Sequence, residues 1–294
     1  MRLLRTLLYV PGNRPNMLAK APSLGADALI LDLEDSVPLP EKAAARSLVR
    51  EMLPQILEGA RTVFVRVNAH GSGLAQEDIA AVVQPGLAGL CLPKVQDAEG
   101  LRTVIAWLAE AEKERGIAEP LGILATIETA LGVLNAYAIA SADPRVVGLI
   151  FGGEDLSLDA GMMRTEEATE LLVARQLVVL AARAAGVQPI DMVYPRIDDE
   201  AGLVHNTTVG RQLGYRAKQV IHPRQVPVVN RLLSPSEAEV AEARRVLAAF
   251  EEAEREGRGA IALDGKMIDR PIVERARRLL ALAEQLEEEK RAEP

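Results

Sequence analysis

A closed α/β barrel of eight parallel strands, each followed by a helix, is the fold class that three features of the sequence predict. Short apolar runs rich in Val, Ile and Leu recur eight times. Longer stretches rich in Ala, Leu, Glu and Arg separate them. Neither a G-x-G-x-x-G turn after the first run nor a G-x-x-x-x-G-K-[ST] loop occurs. Apolar runs that are continuous rather than alternating read as strands buried on both faces, as in a parallel sheet covered by helices. A doubly wound open sheet shares this rhythm and binds ligands at its own strand ends. The count of eight and the missing phosphate-binding turns favour the TIM (β/α)8 barrel.

In chain order the runs are LRTLLYVPG (4–12), ADALILDLEDS (26–36), RTVFVRVNA (61–69), LAGLCLPKV (87–95), LGILATIET (121–129), VVGLIFGGEDL (146–156), PIDMVYPRI (189–197) and AKQVIHP (217–223). The first reads as a strand and not as a signal peptide, because its apolar stretch is short, carries Arg5 and stops at Pro11. Between runs, EGLRTVIAWLAEAEKERGIAEP (99–120) shows the helical pattern, with apolar residues on one stripe and charges on the other. The barrel is assigned to residues 1–233 and a C-terminal extension to 234–294. That extension opens with Ser234, Pro235 and Glu237, read as a capping box at the start of a helix. Asp264-Gly265 then makes a hairpin turn within DGKMID, and a last helix follows, for which Asp269 is a candidate N-cap before Pro271. A barrel needs no such extension, so it is expected to cover a site, its own or a neighbour's.

Composition narrows the function. No apolar run approaches the roughly 18 residues of a membrane span, and Cys91 is the only cysteine, which leaves the cytoplasm as the default compartment. A formal charge of -8 with 3% aromatic residues argues against a nucleic-acid surface. The expected partners are therefore small molecules, with no nucleic acid and no membrane.

Catalytic groups of such barrels come from the C-terminal ends of the strands. Here those ends carry, in order, Gly12-Asn13-Arg14, Glu34-Asp35, Arg66 with Asn68, Lys94, Glu128, Glu154-Asp155, Tyr194 with Arg196, and His222. Glu128 and the Glu154-Asp155 pair end consecutive strands, roughly 4.8 Å apart, so two carboxylates can share one cation. Alternation along a strand sends Glu154 and Asp155 to opposite faces unless the glycines before them bend the chain, making one a ligand candidate and the other a helper. Carboxylates without Cys or His suit Mg²⁺. The same acids would also serve as helix caps or as partners of nearby arginines. Arg66 is suited to stabilising a developing oxyanion, or to pairing with Glu34 or Asp35. Lys94 at a strand end is a candidate for Schiff-base formation with a carbonyl substrate.

With these residues in place, the sequence resembles the citrate lyase beta subunit family, which also includes malyl-CoA and citramalyl-CoA lyases. The resemblance covers almost the whole chain and rests on LLYVPGNRPNMLAKA, GADALILDLEDSV, VFVRVNA, LPKV, ATIETALGVLNA, LIFGGEDLSLDAG, IDMVY, QVIHPRQV and ALDGKMIDRPIVERAR. It implies a TIM barrel, Mg²⁺ held by Glu128 and Asp155 with Glu154 on the substrate side, and reversible carbon–carbon cleavage of a hydroxy-acyl thioester. It also implies that Arg66 meets the substrate and the thioester or enolate oxygen, and that Tyr9, Arg14 and Lys20 lie near coenzyme A or the acid. The turn of Ile221, His222 and Pro223 would touch the thioester arm, and Glu34 and Asp35 would order Arg66 or metal-bound water. Asp269 would be the acid/base, delivered by the extension of an adjacent subunit in a homo-oligomer, for which a trimer is expected. Family members that hydrolyse the thioester, or that work on an acyl-carrier-protein thioester with other citrate lyase subunits, share these motifs. Pro195-Arg196 and Arg216-Ala217 depart from the family pattern beside the site, which leaves the acid unnamed.

Overall fold

The computed structural model describes residues 4–60, 62–255 and 257–291, which fold as two units, Leu4–Asn230 and the segment from Arg231 onward. Arg61, where the third run was expected to begin, and the terminal residues 1–3 and 292–294 of the two assigned domains lie outside the described residues.

The first unit is a closed barrel. Strands β1 (Thr6–Pro11), β2 (Ala28–Asp32), β3 (Val63–Arg66), β4 (Gly89–Leu92), β5 (Gly122–Ile127), β6 (Val146–Phe151), β7 (Gln188–Asp191) and β8 (Ala217–Val220) pair in parallel in chain order. β8 returns to β1 with Leu7 opposite Gln219, so the open-sheet alternative is excluded. Around it run α1 (Pro15–Lys20), α2 (Lys42–Gly59), α3 (Ala75–Val82), α4 (Ala98–Glu114), α5 (Ala130–Leu134), α6 (Ala136–Ala140), α7 (Gly153–Asp159), α8 (Leu172–Ala185) and α9 (Glu200–Leu213). α10 (Gln225–Leu233) leads from the first unit into the second. Local chemistry starts several helices: Asp97 accepts the Gly100 N–H at 2.7 Å, Thr129 that of Gly132 at 3.0 Å, and Asp199 that of Gly202 at 2.9 Å. Among the described residues no helix is long and apolar enough to cross a membrane.

The strands stop earlier than the apolar runs suggest, and this matters for the site. The sixth ends at Phe151; Gly152 and Gly153 turn the chain, and Glu154 and Asp155 stand in the first turn of α7, not on a strand. Carboxylates are favourable there, where the helix dipole presents its positive end. Likewise Tyr194 and Arg196 follow β7 on a loop, and His222 follows β8 on a turn.

The barrel interior is filled by Leu7, Ala28, Ile30, Phe64, Cys91, Leu124, Ile150, Ile190 and Ala217, with Tyr9 packed above them. Because side chains alternate along a strand, the same parity carried two or four residues on sends Asp32, Arg66, Thr126, Glu128, Gln219 and Ile221 toward the axis at the C-terminal mouth.

In the second unit α11 (Glu237–Arg255) and α12 (Arg270–Arg291) pack together, joined by a hairpin of β9 (Ile261–Leu263) and β10 (Lys266–Ile268). Val246, Phe250, Ile268 and Val273 form its core. Asp264 and Gly265 make the turn with φ of 49° and 75°, the left-handed pair that a two-residue hairpin requires. The capping box sits two residues later than the sequence reading placed it. Ser236, not Ser234, is the cap: its Oγ accepts the Glu239 N–H at 3.2 Å, and the Glu239 carboxylate receives the Ser236 N–H at 2.8 Å. Glu237, expected as the distal member of the box, is instead the first helical residue. Asp269 caps α12, accepting the Ile272 N–H on Oδ1 at 3.3 Å.

Candidate active site

A cavity of about 430 Å³ opens at the C-terminal mouth of the barrel, and the inward parity of the strands decides its walls: Tyr9, Asp32, Arg66, Glu128, Gln219 and Ile221 all line it. Arg66 is its fixed cation. Nε and Nη2 reach Asp32 at 2.6 and 2.7 Å in a two-pronged pair, and Nη1 reaches Glu34 Oε2 at 3.1 Å. The guanidinium also lies 4.8 Å from the centre of the Tyr9 ring. A planar fork clamped at both prongs cannot swing, so its charge is aimed before any ligand arrives. Burial opposes ionisation of Asp32, yet the adjacent guanidinium holds its pKa below the ordinary carboxylate value. Burial and Cys91, whose Sγ is 3.8 Å from the Tyr9 hydroxyl, raise the pKa of Tyr9, which stays a neutral phenol.

Lys94 shares Glu34 and Asp35 with Arg66 and lies in the left-handed region with φ of 54°. That conformation costs energy for a residue with a side chain, and here it aims the backbone N–H at Glu128 Oε1, 2.7 Å away. The Lys94 ammonium sits 2.6 Å from Glu34 Oε1, 3.6 Å from Asp35 Oδ1 and 3.7 Å from Asp155 Oδ2. Partial burial works against its charge, but Glu34 outweighs it and the pKa rises above the ordinary lysine value. A Schiff-base lysine must lose its proton to attack a carbonyl, and this pairing works against Lys94 in that role.

Glu128 carries the clearest signature of a cation site. Burial and then the Asp155 carboxylate push its pKa up to about 8. Gly152 leaves it room, since a β-carbon there would lie 2.5 Å from the Glu128 β-carbon. Two carboxylates facing one water-accessible cavity repel each other and supply hard oxygen donors, a set that fits Mg²⁺ completed by waters and substrate oxygens. Among the described residues no group of three or more His, Cys, Asp and Glu is disposed to hold a metal ion by itself.

Residues 5–223 match the family model for HpcH/HpaI aldolase/citrate lyase. The chain belongs to this family. It is similar to the citrate lyase subunit beta of Leuconostoc mesenteroides subsp. cremoris, 41% identical over 96% of this chain and 94% of that one. It is similar as well to the mitochondrial citramalyl-CoA lyase of Homo sapiens, at 37% over 97% and 86%, and to the (3S)-malyl-CoA thioesterase of Cereibacter sphaeroides, at 38% over 95% and 94%. Among solved structures, protein CitE from Mycobacterium tuberculosis in complex with magnesium, acetoacetate and coenzyme A superposes with a TM-score of 0.80 at 34% identity, over 96% of this chain and 98% of that one.

Of the residues singled out in the sequence, this HpcH/HpaI-family chain brings Tyr9, Glu34, Asp35, Arg66, Lys94, Glu128 and Asp155 into one linked cluster. Glu154 lines the cavity but turns its carboxylate to Arg164 at 2.9 Å. Ile221 lines it too, while His222 and Pro223 continue the turn at the rim, where the His222 Nδ1 accepts the Arg224 N–H at 3.2 Å. Arg14 and Lys20 are exposed at the two ends of α1, outside the cluster. Asn68 is committed to Asp78 at 2.6 Å, and Arg196 pairs with Glu166 on the surface. Asp269 belongs to the second unit. The residue that the sequence reading passed over is Asp32, which holds Arg66. Its signal was present: Ala28, Ile30 and Asp32 share one face of a strand, so an acid ends an inward apolar column.

Proposed function

We propose that the chain is a Mg²⁺-dependent lyase that cleaves a hydroxy-acyl thioester of the citryl-, malyl- or citramalyl-CoA type to acetyl-CoA and an oxo acid. The observation that carries this reading is the pairing of Glu128 and Asp155 across a cavity from a clamped Arg66. Glu128 and Asp155 would hold the Mg²⁺, which when bound supplies a Lewis acid for the oxygens of the acid portion. During cleavage the hydroxyl passes its proton to an ionised carboxylate at the mouth, for which Asp35 on the cavity wall is proposed, as its carbon becomes a carbonyl, and the electron pair of the broken bond passes to the thioester as an enolate. Arg66, fixed by Asp32 and Glu34, faces that developing charge without having to reorganise. A proton delivered to the enolate carbon then yields acetyl-CoA, and Asp269 is the acid proposed for it.

Tyr9 and Ile221 would pack against the acyl end, with His222 and Pro223 along the thioester arm, and Arg14 and Lys20, exposed on α1, would meet the phosphates of coenzyme A. We place Asp269 in a neighbouring subunit of a homo-oligomer, taken as a trimer in the cytoplasm. Supporting an assembly, α5, α6 and α8 pack together and leave Leu134, Tyr137, Val173 and Leu180 exposed, apolar side chains that a subunit contact would cover. Mixing inactive Glu128→Ala and Asp269→Ala chains tests the arrangement, because sites shared between subunits recover activity and self-contained sites do not.

The deciding experiment offers malyl-CoA, citramalyl-CoA and citryl-CoA separately to the purified protein, with Mg²⁺ and with EDTA. Metal-dependent release of acetyl-CoA with glyoxylate, pyruvate or oxaloacetate supports the lyase and names its acid. Free coenzyme A with the intact hydroxy acid would make the chain a thioesterase, as its relative from Cereibacter sphaeroides is named. Silence on all three would favour an acyl-carrier-protein thioester and other citrate lyase subunits.

A further inference from the structure

We propose that Lys94 keeps the metal site open by holding Glu34 away from it. The inference rests on the proposed Mg²⁺ site of Glu128 and Asp155. Glu34 is a further carboxylate at the same mouth, itself buried, and its two oxygens are divided between two cations: Oε1 lies 2.6 Å from the Lys94 ammonium and Oε2 lies 3.1 Å from Arg66 Nη1. Oε2 also accepts the Asp35 N–H at 3.2 Å. Lys94 also meets the other two acids, Asp155 through the same ammonium at 3.7 Å and Glu128 through the backbone N–H at 2.7 Å. One residue therefore touches all three carboxylates, steering one off and fixing another. It does so with a left-handed backbone, φ 54°.

The consequence is chemical. Magnesium is octahedral, and every position taken by a protein carboxylate is one that a substrate oxygen cannot use. Two carboxylates leave room for a bidentate hydroxy acid. A third would bind the resting ion more tightly and crowd the acid out. Lys94 thus acts as a positioning residue, trading metal affinity for an open coordination sphere.

The test measures metal binding by the substrate-free protein, with Mg²⁺ followed by calorimetry and Mn²⁺ by electron paramagnetic resonance. Lys94→Gly deletes the side chain while suiting the left-handed backbone, and Lys94→Asn is a second neutral residue that tolerates it. Both variants are expected to bind the ions about tenfold more tightly than wild type, since affinity follows the charge count of the ligands. Adding Glu34→Gln to either should return affinity to the wild-type value, because the two changes share one interaction. In the lyase assay the single variants should show a raised KM for the thioester that excess metal does not correct. Unchanged or weaker metal binding in both Lys94 variants overturns the inference, and so does tight binding that persists in the Glu34→Gln doubles. A wild-type chain that binds neither ion would overturn the proposed function itself, and this inference with it.

Discussion

Between the barrel and helices α8 and α9, Asp191 receives Arg175 at 2.7 and 2.5 Å and Lys218 at 3.0 Å, all three residues almost fully buried. At the barrel mouth five carboxylates, Asp32, Glu34, Asp35, Glu128 and Asp155, gather around Arg66 and Lys94. The rear cluster holds one surplus positive charge and answers it internally, since Lys218 Nζ also donates to the Met192 carbonyl at 2.8 Å and to Asn206 Oδ1 at 2.7 Å. Three acceptors match three N–H bonds. Burial lowers the Lys218 pKa to about 8, still above neutrality, so the ammonium persists there. The mouth, in contrast, carries surplus negative charge beside open solvent even while Glu128, its pKa pushed up to about 8, keeps its proton near neutrality. Sealed, self-satisfied charge holds a fold together, whereas surplus charge at a cavity needs a ligand to complete it.

Removing the centre of each cluster should separate the two roles. Asp191→Asn leaves two buried cations without their carboxylate, a change that costs about 3–5 kcal/mol when a buried pair loses one member. The expected result is a large fall in the unfolding midpoint, with metal affinity of the remaining folded protein unchanged. If the midpoint barely moves, the rear cluster is not the structural one. Arg66→Lys is the counterpart at the mouth. It keeps the charge but loses the fork, and kcat should fall by about 10²-fold, on the scale of losing one preorganised oxyanion donor. The unfolding midpoint should shift far less than with Asp191→Asn.

The contrast also explains what could be read from the sequence. Eight apolar runs and the acids after them were legible because burial and strand-end chemistry are local properties: Arg66, Glu128 and Asp155 were found at their own positions. Asp32 was not, because its role appears only when strand parity is carried to the rim and Arg66 arrives from the next strand. Lys218 and Arg175 were missed for a related reason. Charged residues inside a strand or helix run read as surface until Asn206 and Asp191, distant in sequence, enclose them. The cap at Ser236 was misplaced by two residues since two Ser-x-x-Glu patterns overlap in SPSEAE, and only the helix start decides between them.

A pH series sharpens the comparison further. Glu128 titrates at about 8 in the metal-free protein, above its ordinary 4.5, so the folded state binds this proton more tightly than the unfolded chain does. The stability tied to that proton is complete below about pH 4.5 and is lost as pH rises toward 8. The metal-free midpoint should therefore decline across that window, and Mg²⁺ should restore it more strongly as pH rises. Since the ion must displace the proton, its affinity should drop by about tenfold per pH unit below 8. Affinity that is flat from pH 6 to 8 would remove Glu128 from the ligand set.

The smallest expected effect comes from the residue next to a ligand. Glu154 and Asp155 share the first turn of α7, and a carboxylate at either position gains the same help from the helix dipole. They differ in direction: Asp155 points at Lys94, whereas Glu154 is half exposed and paired with Arg164 at the rim. An exposed pair of this kind contributes little, and its removal leaves the charge balance beside Glu128 almost unaltered. Glu154→Ala should therefore change Mg²⁺ affinity by less than about twofold, while Asp155→Ala should abolish binding in the same titration. Equal losses at the two positions would mean that the bend at Gly152-Gly153 brings both carboxylates to one ion, and the division of the pair into a ligand and a rim residue would fall.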